Sequence, residues 1–132
     1  MLSLEPERLD CRISTTEMEV RYTEQNGVSI NVDVTPLEES GEMKYHQMQL
    51  NFSNVAELRC ITLNFYEVNY DTYELIGTNP DTGVYQVHTS EWLVQERGKY
   101  DPRNRLQLKH YIVVGYDSYA ELLASAYTVD IQ

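Results

Sequence analysis

MEVRYTEQNGVSINVDV, residues 18–34, decides the fold. Met18, Val20 and Tyr22 alternate with Glu19 and Arg21, and Val28, Ile30, Val32 and Val34 alternate with Ser29, Asn31 and Asp33. A period of two gives a strand one buried face and one wet face. Between the two runs stands Gln25-Asn26-Gly27. Asn-Gly is the pair a type I′ turn needs, because both central residues take positive φ. The stretch therefore reads as a β-hairpin, and the rest of the chain is read outward from it.

Upstream, Cys11 and Ile13 stand in the opposite phase to Met18 and Val20, so a bulge or break is expected near Thr15 and Thr16. Downstream, 36–43 (PLEESGEM) is a polar connection with three solvated glutamates. Strands are expected at 45–52, where His46, Met48, Leu50 and Phe52 alternate with polar residues, and at 59–68, with Ile61, Leu63 and Phe65 on one face. Asn79-Pro80-Asp81-Thr82-Gly83 has turn chemistry, and strands near 72–77 and 84–88 are expected to pair across it.

One helix is expected. Ser90 is its N-cap, Glu91 lies in the first turn, Trp92 and Leu93 anchor it, and Gly98 stops it after Arg97. A strand resumes over 106–116 with Leu106, Leu108, His110, Ile112, Val114 and Tyr116 on one face, and Gly115 marks a bulge or a close backbone approach. In SYAELLASAYTVDIQ, residues 118–132, Ser118 and Glu121 have capping-box spacing, yet Tyr119, Leu123, Tyr127, Val129 and Ile131 alternate. A strand hairpin-paired through Asp117-Ser118 is expected. About seven short strands and one short helix make residues 1–132 a single mainly β domain, an antiparallel sandwich or partly open barrel.

Composition narrows the function classes. Ten Lys and Arg against 21 Asp and Glu give a formal net charge of −11. Phosphate contacts need bases, so neither nucleic acid nor an anionic membrane is an expected partner. A basic protein is. No apolar run reaches the roughly 20 residues of a membrane span, and MLSLEPERLDCR lacks the basic start and apolar core of a secretory signal. A cytoplasmic protein is expected, with Cys11 and Cys60 as free thiols packed in strands.

No residue pattern names a reaction. GxSxG, P-loop, dinucleotide-binding glycines and CxxC are all missing from the sequence, and the expectation is a non-enzyme without cofactor or metal. His46, His88 and His110 have no metal-ligand spacing, and His46 and His110 fall in phase with apolar residues, as hydrogen-bonded, partly buried imidazoles do. Asp117 and Glu121 read as turn and edge charges.

Tyrosine is the outlier, eleven residues against two Phe and one Trp. Its rigid face and polar tip suit recognition surfaces as well as sheets. Tyr66, Tyr70 and Tyr73, and again Tyr111, Tyr116 and Tyr119, cluster in segments where not every ring can point inward, and are the candidate partner-binding residues. The charge is also uneven. Residues 1–42 hold ten acids and three bases, whereas 96–110 hold two acids and five bases. This basic island, with Arg97, Lys99, Arg103 and Arg105, reads first as helix-end electrostatics followed by an Asp101-Pro102 turn. The alternative makes Arg103 and Arg105 partner contacts, or contacts to the acidic half of a second copy in a homodimer.

Ser90, Trp92 and Leu93, the short basic loop, then His110-Tyr111, Asp117, Glu121 and Ala124 resemble the tail of small acidic bacterial immunity proteins of polymorphic-toxin systems, the immunity protein 50-like kind. The likeness covers about the C-terminal third of the chain. It implies a cytosolic, non-catalytic antidote that binds and blocks a cognate toxin. The expected function is thus an acidic binding protein that recognises and inhibits a basic protein partner. The alternatives are an acidic DNA-mimic inhibitor and a small-ligand or carbohydrate-binding β domain.

Overall fold

The computed structural model describes residues 1–37 and 46–132. In chain order the elements are β1 (Leu2–Pro6), β2 (Cys11–Ile13), β3 (Glu19–Thr23), β4 (Gly27–Pro36), β5 (His46–Ser53), β6 (Glu57–Ile61), α1 (Phe65–Val68), β7 (Tyr73–Leu75), β8 (Val84–His88), α2 (Glu91–Tyr100), β9 (Lys109–Val114), β10 (Tyr119–Ala124) and β11 (Ala126–Ile131). One sheet runs β6-β10-β9-β8-β1-β7; the other runs β11-β5-β4-β2, with β3 also on β4. The mainly β expectation of a sandwich or partly open barrel holds, but with eleven strands and two helices among the described residues where about seven and one were expected. No helix among the described residues is long and apolar enough to cross a membrane.

The opening hairpin forms as read, with Val20 opposite Ile30 and Tyr22 opposite Val28. Its turn differs. Three residues separate Thr23 from Gly27, and Gly27 at φ +72° is the one position in the turn with positive φ. That pattern belongs to a three-residue loop closed by a left-handed glycine, not to type I′. Thr23 Oγ1 accepts the Asn26 amide at 2.9 Å and holds the loop. The phase change upstream becomes a break: β2 and β3 lie end to end along β4, Ile13 opposite Val34 and Glu19 opposite Asn31. Of the polar connection expected at 36–43, residues from 38 on lie outside the described ones.

Val28, Ile30, Val32 and Val34 of β4 and Met48, Leu50 and Phe52 of β5 meet Val84, Tyr111, Val113, Ala120 and Leu122 of the first sheet, forming the core between the sheets. The first sheet is apolar on its other face too. There Leu4, Tyr85, Val87, Ile112, Val114 and Tyr119 pack around Phe65 of α1, and Leu108 and Leu123 pack against Trp92 and Leu93 of α2. The chain is therefore layered: second sheet, first sheet, helices. This is why residues 110–114 are all buried rather than alternating. A continuous apolar run is the mark of a strand covered on both sides.

Four further expectations are corrected. The strand expected over 59–68 ends at Ile61, because Asn64 caps α1; Leu63 is exposed and Phe65 is on the helix. The strands flanking residues 79–83 do not pair with each other: β1 enters between them, parallel to β7 and antiparallel to β8. The 79–83 segment holds the exit of β1 instead, with Asn79 Nδ2 donating to the Pro6 carbonyl and Thr82 Oγ1 to the Glu7 carbonyl, both at 3.0 Å. Gly98 does not stop α2, which runs on to Tyr100 and is capped by Asp101. Finally, the expected C-terminal strand is two strands. β10 pairs with β9 through the Asp117-Ser118 turn, and after Ser125 the chain crosses to the other sheet as β11 on β5.

Candidate functional site

Among the described residues, three of the four most exposed tyrosines, Tyr66, Tyr70 and Tyr116, lie on or near the shortest helix; the fourth, Tyr22, is on β3. Asn64 builds that end of the molecule. Its Oδ1 accepts the amides of Tyr66 and Glu67 at 2.9 and 3.3 Å, satisfying first-turn donors of α1. Its Nδ2 donates to the Tyr116 carbonyl at 3.2 Å and to the Asp117 carboxylate at 3.4 Å, which ties α1 to the β9–β10 turn. Phe65 points inward at 1% exposure, with ring centroids 5.2–5.4 Å from Tyr119 and Tyr73. With Phe65 committed to the core, its neighbours face water: Leu63, Tyr66, Val68, Tyr70 and Tyr116 are 47–75% exposed. Tyr66 and Tyr116 line one open cleft of about 680 Å³, together with Ile13 and Thr15 at the β2–β3 break.

The stretch of sequence that carries α1 is one-sided in charge. Residues 60–96 contain six acids and no Lys or Arg. Glu67, Asp71, Asp81 and Asp117 are exposed. Partial burial and then the Asp81 carboxylate push the Tyr66 hydroxyl above its usual range. Tyr85, buried beneath, donates its hydroxyl to Asp81 and is pushed up much further, first by burial and then by that hydrogen bond. An acid thus stands directly beside the exposed rings.

The candidate tyrosines separate into three groups. Tyr66, Tyr70 and Tyr116 are exposed; Tyr73 is half-buried between Phe65 and Tyr66. Tyr111 and Tyr119, at 2% and 7% exposure, are core residues and offer nothing to a partner. Tyr111 lies between the sheets, where burial pushes its hydroxyl up to about 12, and Tyr119 lies under α1. Arg103 and Arg105 are exposed on the loop after α2. That loop is shaped by Asp101, 4% exposed, whose carboxylate accepts the amides of Arg105, Leu106 and Gln107 at 2.7–3.2 Å. Arg97 and Lys99 do occupy the last turn of α2, as helix-end electrostatics requires.

A second polar cluster sits on the helix-covered face. Ser90 Oγ lies 2.7 Å from His110 Nδ1, and His110 Nε2 lies 3.0 Å from Glu121 Oε1. His110 is the hydrogen-bonded imidazole expected. Glu121 is not an edge charge: it is mid-strand in β10, flanked by Arg59 of β6 and Ile112 of β9. Trp92 stands edge-on to the His110 ring at 5.0 Å and under the Arg59 guanidinium at 3.7 Å. These groups line an open cleft of about 420 Å³. Serine, histidine and glutamate are the types used in nucleophilic catalysis, but Ser90 Oγ also accepts the Leu93 amide at 3.1 Å as the cap of α2. The cluster fastens the start of α2 to β9 and β10.

His88 meets Glu5 at 3.5 Å on the neighbouring strand. Among the described residues no three His, Cys, Asp or Glu side chains converge as metal ligands. Cys11 is buried against Met48, Sγ to Sδ 3.8 Å, whereas Cys60 is exposed on β6 and so is not a core residue. The sequence patterns do not single out Val68 or Asn64, and they place Leu63 on a strand face rather than on the surface beside α1. Asn64 with Glu67 three residues on has the spacing of a helix start, and that signal marks where α1 begins. Comparison of the chain with protein-family models, curated proteins and solved structures finds no match.

Proposed function

We propose that this chain is a non-catalytic binding protein that captures and inhibits a basic protein, in the manner of a toxin antidote. The observation that carries this reading is the joint exposure of Tyr66, Tyr70 and Tyr116 with Leu63 and Val68, with Asp81 beside Tyr66 and Asp117 bonded to Asn64 at the start of α1. Tyrosine supplies large contact area at low entropic cost, and clustered exposed apolar side chains rimmed by charge mark interaction sites. The acids speed encounter with a basic partner, and the rings hold it once water is excluded. In this reading the Ser90–His110–Glu121 cluster is architectural. Arg103 and Arg105 lie outside the contact.

The test is retention of partners from the native source by immobilised wild-type chain and by a Tyr66→Ser, Tyr70→Ser, Tyr116→Ser variant. A basic protein held at low salt by the wild type, released as salt rises and lost with the triple variant, is the expected result. Equal retention by a folded triple variant, or a partner without excess basic charge, sinks the proposal. An Arg103→Gln, Arg105→Gln variant is expected to retain the partner as well as the wild type does.

A further inference from the structure

β11 is an edge strand that pairs with β5 alone among the described residues. Gln132 exchanges backbone bonds with Gln47, at 2.8 and 3.4 Å. In an antiparallel ladder, residues that bond to the neighbour alternate with residues that do not. Counting back along the register from Gln132, the residues at 130, 128 and 126 bond to β5, while Ile131, Val129 and Tyr127 turn their N–H and C=O groups to the open side. The same three residues lie opposite Met48, Leu50 and Phe52, so their side chains share the core-facing side of the sheet. Val129 and Ile131 are nevertheless 42% and 48% exposed. Their face projects beyond the cover of the other sheet.

Protein edges are normally blunted by lysine, proline, a bulge or a covering element. Residues 126–131 hold no lysine and no proline, and Asp130 is their one charge. We propose that β11 pairs antiparallel with β11 of a second copy, about a two-fold axis through Val129, joining two sheets into one. That register sets Val129 opposite Val129 of the second copy, and Tyr127 opposite Ile131 of the second copy. Every outward N–H and C=O in the centre of the edge then finds its complement. The half-exposed apolar side chains of one copy cover those of the other.

The local charge pattern admits this occupant. The two-fold sets each Asp130 opposite Thr128 of the second copy, so no like charges stand directly across the new ladder. A basic partner strand would meet only Asp130 here, and is drawn instead to the acidic end near α1. One six-residue strand pair buries less than the roughly 800 Å² per partner of a standard interface. The dimer is accordingly weak and dependent on concentration. Two chains of net charge −11 repel at a distance, so salt strengthens this association while it weakens capture of a basic partner.

Sedimentation velocity across a concentration series, at low and high salt, tests the proposal on the full chain. The wild-type mass is expected to rise from 15.4 kDa toward twice that value as concentration rises, and sooner at high salt. Val129→Pro removes an N–H that β5 does not use, so the folded monomer tolerates it and the dimer is expected to vanish. Should that variant unfold, Val129→Lys replaces it, with association expected to fall at least about tenfold, which corresponds to about 1.4 kcal/mol. A wild type monomeric throughout, species that grow beyond the dimer, or a folded position-129 variant that associates as the wild type does, each overturns it.

Discussion

Gly98 and Gly115 look alike in the sequence and do opposite things in the molecule. Gly98 lies inside α2, where an added Cβ would meet no atom within 4 Å. Gly115 lies where the β9–β10 turn meets Met18: an added Cβ would stand 3.0 Å from Met18 Cβ and 3.1 Å from the Ser118 carbonyl oxygen. Glycine in a helix interior costs up to about 1 kcal/mol relative to alanine, so Gly98→Ala is expected to stabilise by that order. Gly115→Ala is expected to destabilise by about 1–3 kcal/mol through overpacking. Urea denaturation of the two variants beside the wild type checks both signs at once. The close approach at Gly115 was legible from an isolated glycine in a strand pattern. The freedom at Gly98 was not, because a glycine late in a helical segment has the same spacing whether it ends the helix or lies inside it.

At the scale of elements, the basic loop separates charge from structure. Arg103 and Arg105 gave this segment its prominence in the sequence, yet the buried Asp101 carboxylate organises it through three backbone amides. Hydrogen bonds to a charged group are worth about 1.5–3 kcal/mol each, and a buried amide left unpaired is costly. Asp101→Ala is therefore expected to destabilise by about 3 kcal/mol or more, whereas Arg103→Gln with Arg105→Gln is expected to stay within about 0.5 kcal/mol of the wild type. Thermal or urea unfolding distinguishes them. Elements closed by local contacts, such as the hairpin at Gly27, the Ser90 cap and the Asp117-Ser118 turn, were readable because their partners lie a few residues away. β1 was not. Leu4 finds its partners at Leu75 and Val87, and no local pattern announces a strand whose neighbours are more than seventy residues distant.

At the scale of the whole molecule, tyrosines from several layers are held neutral by burial. Burial pushes Tyr111 up to about 12 from the usual 10, and pushes Tyr85 and Tyr127 up as well, with Asp81 and Glu7 respectively adding to the rise. A folded-state value raised above the unfolded one contributes stability that is fully present below the unfolded value, here about 10, and is lost as pH rises through the folded one. For Tyr111 that window runs from about 10 to about 12. Stability is expected to fall steeply across it. Phenolate absorbance from the buried tyrosines is expected to appear together with loss of folded circular dichroism, and ionisation of all tyrosines in a chain that remains folded would contradict the packing described.

By itself the sequence determined the class of the molecule: strands of period two, an acidic surface, a capped helix with Trp92 inward, and a chain without a recognised catalytic motif. These depend on composition and on contacts between near neighbours. Only the tertiary structure decided which tyrosines are core and which are surface, that His110 and Glu121 meet, that β1 separates β7 from β8, and that among the described residues β11 pairs on one side alone. Each of those is settled by what covers a strand's second face or second edge. The covering element comes from a distant part of the chain, so no local pattern of residues records it.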